Sequence, residues 1–192
     1  MILALFNQAD VLLLSRYASD SDIANYGVAQ KYQVIVLSIL PSLLALLRVR
    51  TAKKDYVQSS QKRKDFTVKW IRSITPATLI LIIIGAILSK YLFPVINGEQ
   101  YSSAVPLFQI MLIGVGISYI FSPIIPVIMA AKRFALLCSL CTFSFLITVV
   151  GNYLFIPRFG AISPSVFFVV SNAFLNVGAT IFILLEPREN QL

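Results

Sequence analysis

Histidine is absent from the 192-residue chain, which removes the commonest metal ligand and general base from any mechanism. Charge is scarce too. Only 12% of residues are charged, where a soluble domain carries about 25%. The only two cysteines, Cys138 and Cys141, form a C-x-x-C within an apolar run. A redox pair needs an exposed helix N-terminus beside a strand, and zinc needs two further ligands, so these cysteines are read as small lipid- or helix-facing residues. Paired carboxylates, a nucleophile elbow, a glycine-rich phosphate loop and metal-ligand spacing are all missing. The expectation is a protein that is not an enzyme and carries no cofactor or metal.

What is present is apolar. Hydrophobic residues make up 58% of the chain and mean hydropathy is +0.84. No soluble core hides that much greasy surface beneath a polar shell. The distribution matters more than the total. No formal charge falls in Gln100 to Ala131, Phe134 to Pro157 or Phe159 to Leu185, and a helix needs about 20 apolar residues to cross the hydrocarbon core. The N-terminal run lacks a basic flank and a small-residue cleavage pattern, and Asp10 interrupts it, so it reads as a span rather than a signal peptide. The fold expected is all-α: a polytopic membrane bundle of about six helices forming one lobe, with spans at about 2–17, 25–47, 71–93, 104–130, 134–156 and 161–185. Pro94 should end the third span, and Pro123 with Pro126 should bend or break the end of the fourth.

The net charge of +8 on a soluble protein would suggest nucleic acid. Here the cations sit between apolar blocks, so the partners expected are membrane lipid headgroups and not nucleic acid. With six spans, one side of the membrane collects Arg48, Arg50, Lys53, Lys54, Lys62, Arg63, Lys64, Lys69, Arg72, Lys132, Arg133 and Arg188, twelve of the sixteen basic residues. The other side has Arg16, Lys31, Lys90 and Arg158. By the positive-inside rule this places both termini, and a basic loop at 48–70, in the cytoplasm of a cell whose inner membrane the chain crosses. Two readings of that loop stand. In one, Tyr56, Val57, Phe66 and Trp70 lie along the headgroup boundary while the lysines meet anionic lipid; in the other it is a solvated loop that sets topology.

Polar groups at membrane depth are costly and usually face a bundle interior or a watery cavity. Asp10 stands out, with an ion pair to Arg16 expected to lower its insertion cost. Lys31, Ser38 and Ser42 form a stripe on the second helix, flanked by Gln30 and Gln33. The fourth helix aligns Gln109, Gly116 and Pro123; the fifth, Cys138, Cys141, Thr148 and Asn152; the sixth, Ser165, Asn172, Asn176 and Ala179. These faces suit a polar passage, but small and hydrogen-bonding residues also hold membrane helices together with no passage between them.

Several of these residues fall into an order that resembles a known family. Asn7-Gln8-Ala9-Asp10, then Ser19-Asp20 and Tyr26-x-x-Ala29-x-Lys31, resemble the start of the second half of the polysaccharide flippases. These are the O-antigen and exopolysaccharide exporters of the multidrug/oligosaccharidyl-lipid/polysaccharide exporter superfamily. Leu92-Phe93 with Gly98-x-x-Tyr101-x-x-Ala104, Ala130-x-Lys132-Arg133, and Asn152 with Ile156-Pro157-x-Phe159-Gly160-Ala161 resemble its later turns, in order. One departure is that Ala161 runs into Ile162-Ser163-Pro164 where the family usually has a second Gly-Ala pair. Such exporters have about twelve helices in two lobes packed about an axis along the membrane normal, and this chain covers the second lobe. The resemblance implies a fragment, split-gene product or half-transporter that carries a lipid-linked glycan between leaflets, partnered by the missing lobe or a second copy. It implies Arg16 and Lys31 for phosphates, Asp10 for pairing or a coupling cation, and Asn152, Asn172, Asn176 and Gln109 for sugar hydroxyls. A drug/cation antiporter lobe, with Asp10 as its deep carboxylate, and a non-transporting membrane subunit or gene remnant are the alternatives.

Overall fold

The computed structural model describes residues 2–186, with side chains from Asp10 onward; the side chains of Asn7, Gln8 and Ala9, and Arg188 altogether, lie outside the described residues. Its elements are helical: α1 (Ile2–Tyr17), α2 (Asp20–Leu37), α3 (Leu40–Thr51), α4 (Lys54–Gln58), α5 (Ser60–Asn97), α6 (Ala104–Ile120), α7 (Ile124–Ala130), α8 (Phe134–Phe159) and α9 (Ile162–Leu185), with a 3-10 turn at Glu99–Tyr101. Among the described residues, five stretches are long and apolar enough to cross a membrane: Asp20–Thr51, Ser60–Asn97, Ala104–Ala130, Phe134–Phe159 and Ile162–Leu185. That is the signature of a multi-pass helical membrane protein. α1 has 16 residues, a length of about 24 Å at the α-helical rise, less than the ~30 Å hydrocarbon core.

Two spans are each built from two helices. α2 starts earlier than the expected Asn25, because Ser19 caps it and accepts a hydrogen bond from the Asp22 N–H at 3.2 Å. It stops at Leu37 because Pro41 has no N–H for the Leu37 carbonyl, and α3 resumes at Leu40. The fourth span breaks likewise at Phe121-Ser122-Pro123, where the Ser122 N–H turns back to the Tyr119 carbonyl, as the proline pair led us to expect.

The 48–70 connection is helical rather than an open loop. α3 runs to Thr51, α4 occupies Lys54–Gln58, and α5 begins at Ser60 with Ser59 accepting from the Lys62 N–H. Its aromatic residues also turn inward. Phe66 is buried, stacks edge-on with Tyr56 at 5.4 Å and lies 6.3 Å from Trp70. Packing against Leu47 and Ile128 therefore takes the apolar faces that were expected to meet the headgroups. Pro94 does not end α5, which continues to Asn97 and stops at Gly98, whose φ of 96° suits glycine. α8 similarly runs through Pro157 to Phe159.

α6 lies at the centre, packed on α2, α5 and α9, while α8 packs on α9 and α1. Close approach is set by small residues, as in membrane bundles generally. A Cβ on Gly116 would lie 2.2 Å from Ile82 Cδ1, and one on Gly151 2.2 Å from Phe167 Cε1. The core has two clusters, one on each side of the helix breaks. One gathers Leu14, Tyr26, Phe93, Phe108 and Ile156; the other gathers Leu47, Phe66, Ile124, Val127 and Ile183. The connections at 52–59 and 131–133 share one end with Glu186, and this end carries most of the cations. The turns at 18–19, 98–103 and 160–161 share the other.

Candidate functional site

Asp10 in α1 faces α2 and α8. Its Oδ2 accepts a hydrogen bond from the Tyr26 hydroxyl at 3.2 Å, and its Oδ1 accepts from Asn152 Nδ2 at 2.7 Å. The Ser163 hydroxyl of α9 donates to Asn152 Oδ1 at 3.3 Å, which fixes the amide so that its N–H faces Asp10. Tyr26, Asn152 and Ser163 are buried, while Asp10 is partly open. The carboxylate is thus held by donors from two other helices and still reaches a cavity. That cavity, about 250 Å³, is lined by Asp10, Tyr26, Gln30, Gln33, Ser38 and Phe168, with Val34 and Leu37.

On α2 the cavity is bordered by Val34, Leu37 and Ser38. α2–α3 exposes Ala24, Gly27, Lys31, Ser38, Ser42 and Ala45, and with them the larger apolar residues Val34, Ile35, Ile39, Leu46 and Val49. α5 exposes Leu79, Ile80, Leu81, Ile83, Ile84, Ile87 and Leu88, as a lipid-facing helix should. Lys31 lies eleven residues into α2, about 16 Å along its axis. A cation at that depth suits a watery or protein-covered surface rather than acyl chains.

The predicted site residues therefore separate. Asp10 and Asn152 meet. Asp10 does not pair with Arg16: six residues at about 100° each leave Arg16 about 120° away around α1. Arg16 is exposed and lies 5.8 Å over the Tyr17 ring instead. Gln109 donates to the Ala86 carbonyl at 3.0 Å, tying α6 to α5. Asn172 Oδ1 accepts from Ser118 at 2.9 Å, joining α9 to α6, and Asn176 donates to the Asn172 carbonyl at 2.8 Å. Gln109 and Asn172 thus tie neighbouring helices, Asn176 bonds within α9, and none of the three lines the Asp10 cavity. Tyr26, Ser163 and Phe168 are the site residues that sequence reasoning missed. A tyrosine or phenylalanine on an apolar helix has the same one-dimensional signature as core.

At the basic end the lipid-facing assignments also divide. Arg48, Arg50, Lys53 and Lys54 are exposed. Arg50 lies 5.1 Å over the Phe66 ring. Lys62 pairs with Asp55 at 3.1 Å. Arg63 does not meet headgroups, because it is buried; it pairs with Glu186 at 2.9 Å and donates to the Tyr56 and Val57 carbonyls. Lys64 donates to the Glu186 carbonyl, and Arg133 pairs with the same carboxylate at 3.1 Å. One acid thus joins the start of α5, the turn before α8 and the end of α9.

Among the described residues no group of three or more Cys, Asp or Glu side chains is placed to hold a metal. Cys138 and Cys141 are exposed on α8. Fold and cavity define a helical membrane protein with a carboxylate-centred polar pocket in its bundle. No protein-family model, curated protein or solved structure matches the chain.

Proposed function

We propose that this chain is one lobe of a transporter that moves a lipid-linked oligosaccharide across the cytoplasmic membrane by alternating access. The observation that carries the reading is the Asp10 cavity walled by α2, the helix that also exposes Lys31 far from its ends. A lysine at that depth is poorly placed against acyl chains and suits a passage shared with an opposing lobe or a second copy. Beside it stand the ordered motifs that resemble polysaccharide flippases. In such a passage Lys31 meets the diphosphate, as charge-assisted contacts to phosphate require. The Asp10 carboxylate, held between α1, α2 and α8, answers to a coupling proton or cation and changes how those helices are tied. The excess of cations at one end of the bundle supports, by the positive-inside rule, a cytoplasmic side for that end and for both termini.

The test is glycan export in cells lacking their own flippase, with the chain supplied alone and with candidate opposing lobes. Asp10→Asn, which keeps volume and removes charge, is expected to abolish export with unchanged amounts of protein in the membrane, and Lys31→Ala to reduce it. Undiminished export by both variants would sink the assignment. The same carboxylate favours a second reading, a cation-coupled drug antiporter lobe. Efflux of cationic dyes that is lost in Asp10→Asn, without glycan export, would select it.

A further inference from the structure

At the basic end, a cleft of about 280 Å³ opens between the last turns of α3 and α7 and the short α4. Arg48 and Lys132 line it together with Thr51, Val57, Pro126 and Met129. α3 and α7 are the closing halves of the spans Asp20–Thr51 and Ala104–Ala130. A cleft where two spans end lies at the level of the lipid headgroups, next to the acyl region. Both cations are exposed, and neither makes an ion pair among the described residues. The described acids near this end are engaged elsewhere. Asp55 pairs with Lys62, Asp65 accepts from Gln61, and Glu186 holds Arg63 and Arg133. No carboxylate lines the cleft.

The backbone of Lys132 is an independent observation. Its φ is 56°, and among the described residues it is the only non-glycine in the left-handed region. That conformation strains any residue with a Cβ, and glycine usually takes the position just past a helix. The end of α7 does not need the lysine charge for its own carbonyls. Those of Val127, Ile128 and Met129 accept the N–H groups of Ala131, Arg133 and Lys132 at 3.0, 3.2 and 3.0 Å. The Thr51 hydroxyl lies 3.4 Å from the Pro126 carbonyl. A strained lysine with its ammonium left over, sharing a cleft with an unpaired guanidinium, suits a bound anion. The apolar wall says which anion. Pro126 is buried and Val57 and Met129 are half-buried, and an inorganic ion would leave that wall uncovered. A phosphodiester on a glycerol backbone sets its charge between the cations and its carbons against the wall, as lipids do in basic pockets between membrane helices.

We propose that this cleft binds an anionic phospholipid of the bilayer through its phosphate and so clamps α3 to α7. The site requires only that two spans end at a membrane surface, and it stands apart from the transport reading. The experiment follows the thermal midpoint of the full chain in a neutral detergent with added phosphatidylglycerol, phosphatidylcholine or inorganic phosphate. Phosphatidylglycerol at about a hundredfold excess over its Kd is expected to raise the midpoint by about 5 °C. Phosphatidylcholine should give about half that shift or less, and inorganic phosphate none. Lys132→Gly relieves the left-handed backbone, so its midpoint without anionic lipid should equal or exceed the native one, while the phosphatidylglycerol shift falls at least by about half. Arg48→Gln is expected to lose the shift likewise. Lys53→Gln combined with Lys54→Gln removes two exposed cations outside the cleft and should keep it. Four results would each overturn the proposal: no greater shift with phosphatidylglycerol than with phosphatidylcholine, a shift kept by both Lys132→Gly and Arg48→Gln, an equal loss in the Lys53 and Lys54 double variant, or the whole shift reproduced by inorganic phosphate. The third would mean diffuse attraction of lipid to the basic end, and the fourth a site for a soluble anion.

Discussion

At the residue scale, the carboxylate of Glu186 concentrates the largest single electrostatic dependence. Its side chain and that of Arg63 are 9% and 4% exposed, and removing one partner of a buried pair leaves the other uncompensated, a cost of about 3–5 kcal/mol. Glu186→Ala is expected to lower the thermal midpoint in detergent sharply. Arg133→Ala should do so far less, because Arg133 is 44% exposed and such pairs contribute about 0–1 kcal/mol. Equal loss in both variants would contradict this ordering. Gly151 tests packing rather than charge. A Cβ there would meet three Phe167 ring atoms at 2.2–2.5 Å, and overpacking of this kind costs about 1–3 kcal/mol. Gly151→Ala should destabilise, and Gly151→Ala with Phe167→Leu should recover most of the loss in a double-mutant cycle.

At the scale of elements, the two broken spans are tied where they break. The Tyr119 hydroxyl, one residue before the end of α6, donates to the Val36 carbonyl at 2.6 Å. That carbonyl lies in the last turn of α2, where helical partners run out. The breaks also separate the two core clusters, so α3 and α7 pack with each other on one side while α2 and α6 pack on the other. Tyr119→Phe removes one hydrogen bond and keeps the ring, a loss of about 0.5–1.5 kcal/mol. Amide hydrogens of residues 36–43 and 120–127 should then exchange faster, with those in the middle of α8 unchanged. Uniform exchange across the bundle would show that the tie does not act locally.

For the whole molecule, the distribution of charge predicts orientation. In a chain without native cysteines, Ser102→Cys is expected to react with an impermeant maleimide on intact cells, whereas Lys53→Cys should react only after permeabilisation. The reverse pattern would invert the topology, and with it the direction of transport proposed above.

Composition and run length alone determined that the chain is an all-helical membrane bundle, because burying or lipidating that much apolar surface leaves few other solutions. They also placed the α6–α7 break at Pro123 and marked Asp10 as an unusual group, since a carboxylate within an apolar run needs no partner to be conspicuous; the third span, expected from 71, starts at Ser60 instead. Other features depended on which faces meet. The aromatic residues of 48–70 were expected at lipid, but Phe66 is taken by Leu47 and Ile128. Gln109 and Asn172 share polar stripes with candidate site positions, and only the register of α5, α6 and α9 turns them into ties between helices, while Asn176 turns back on its own helix. Asp10 joins Tyr26 and Asn152 across 16 and 142 positions of chain. Helical periodicity shows which residues share a face of one helix; it holds no information about which face of another helix lies opposite, and that choice belongs to the packed bundle.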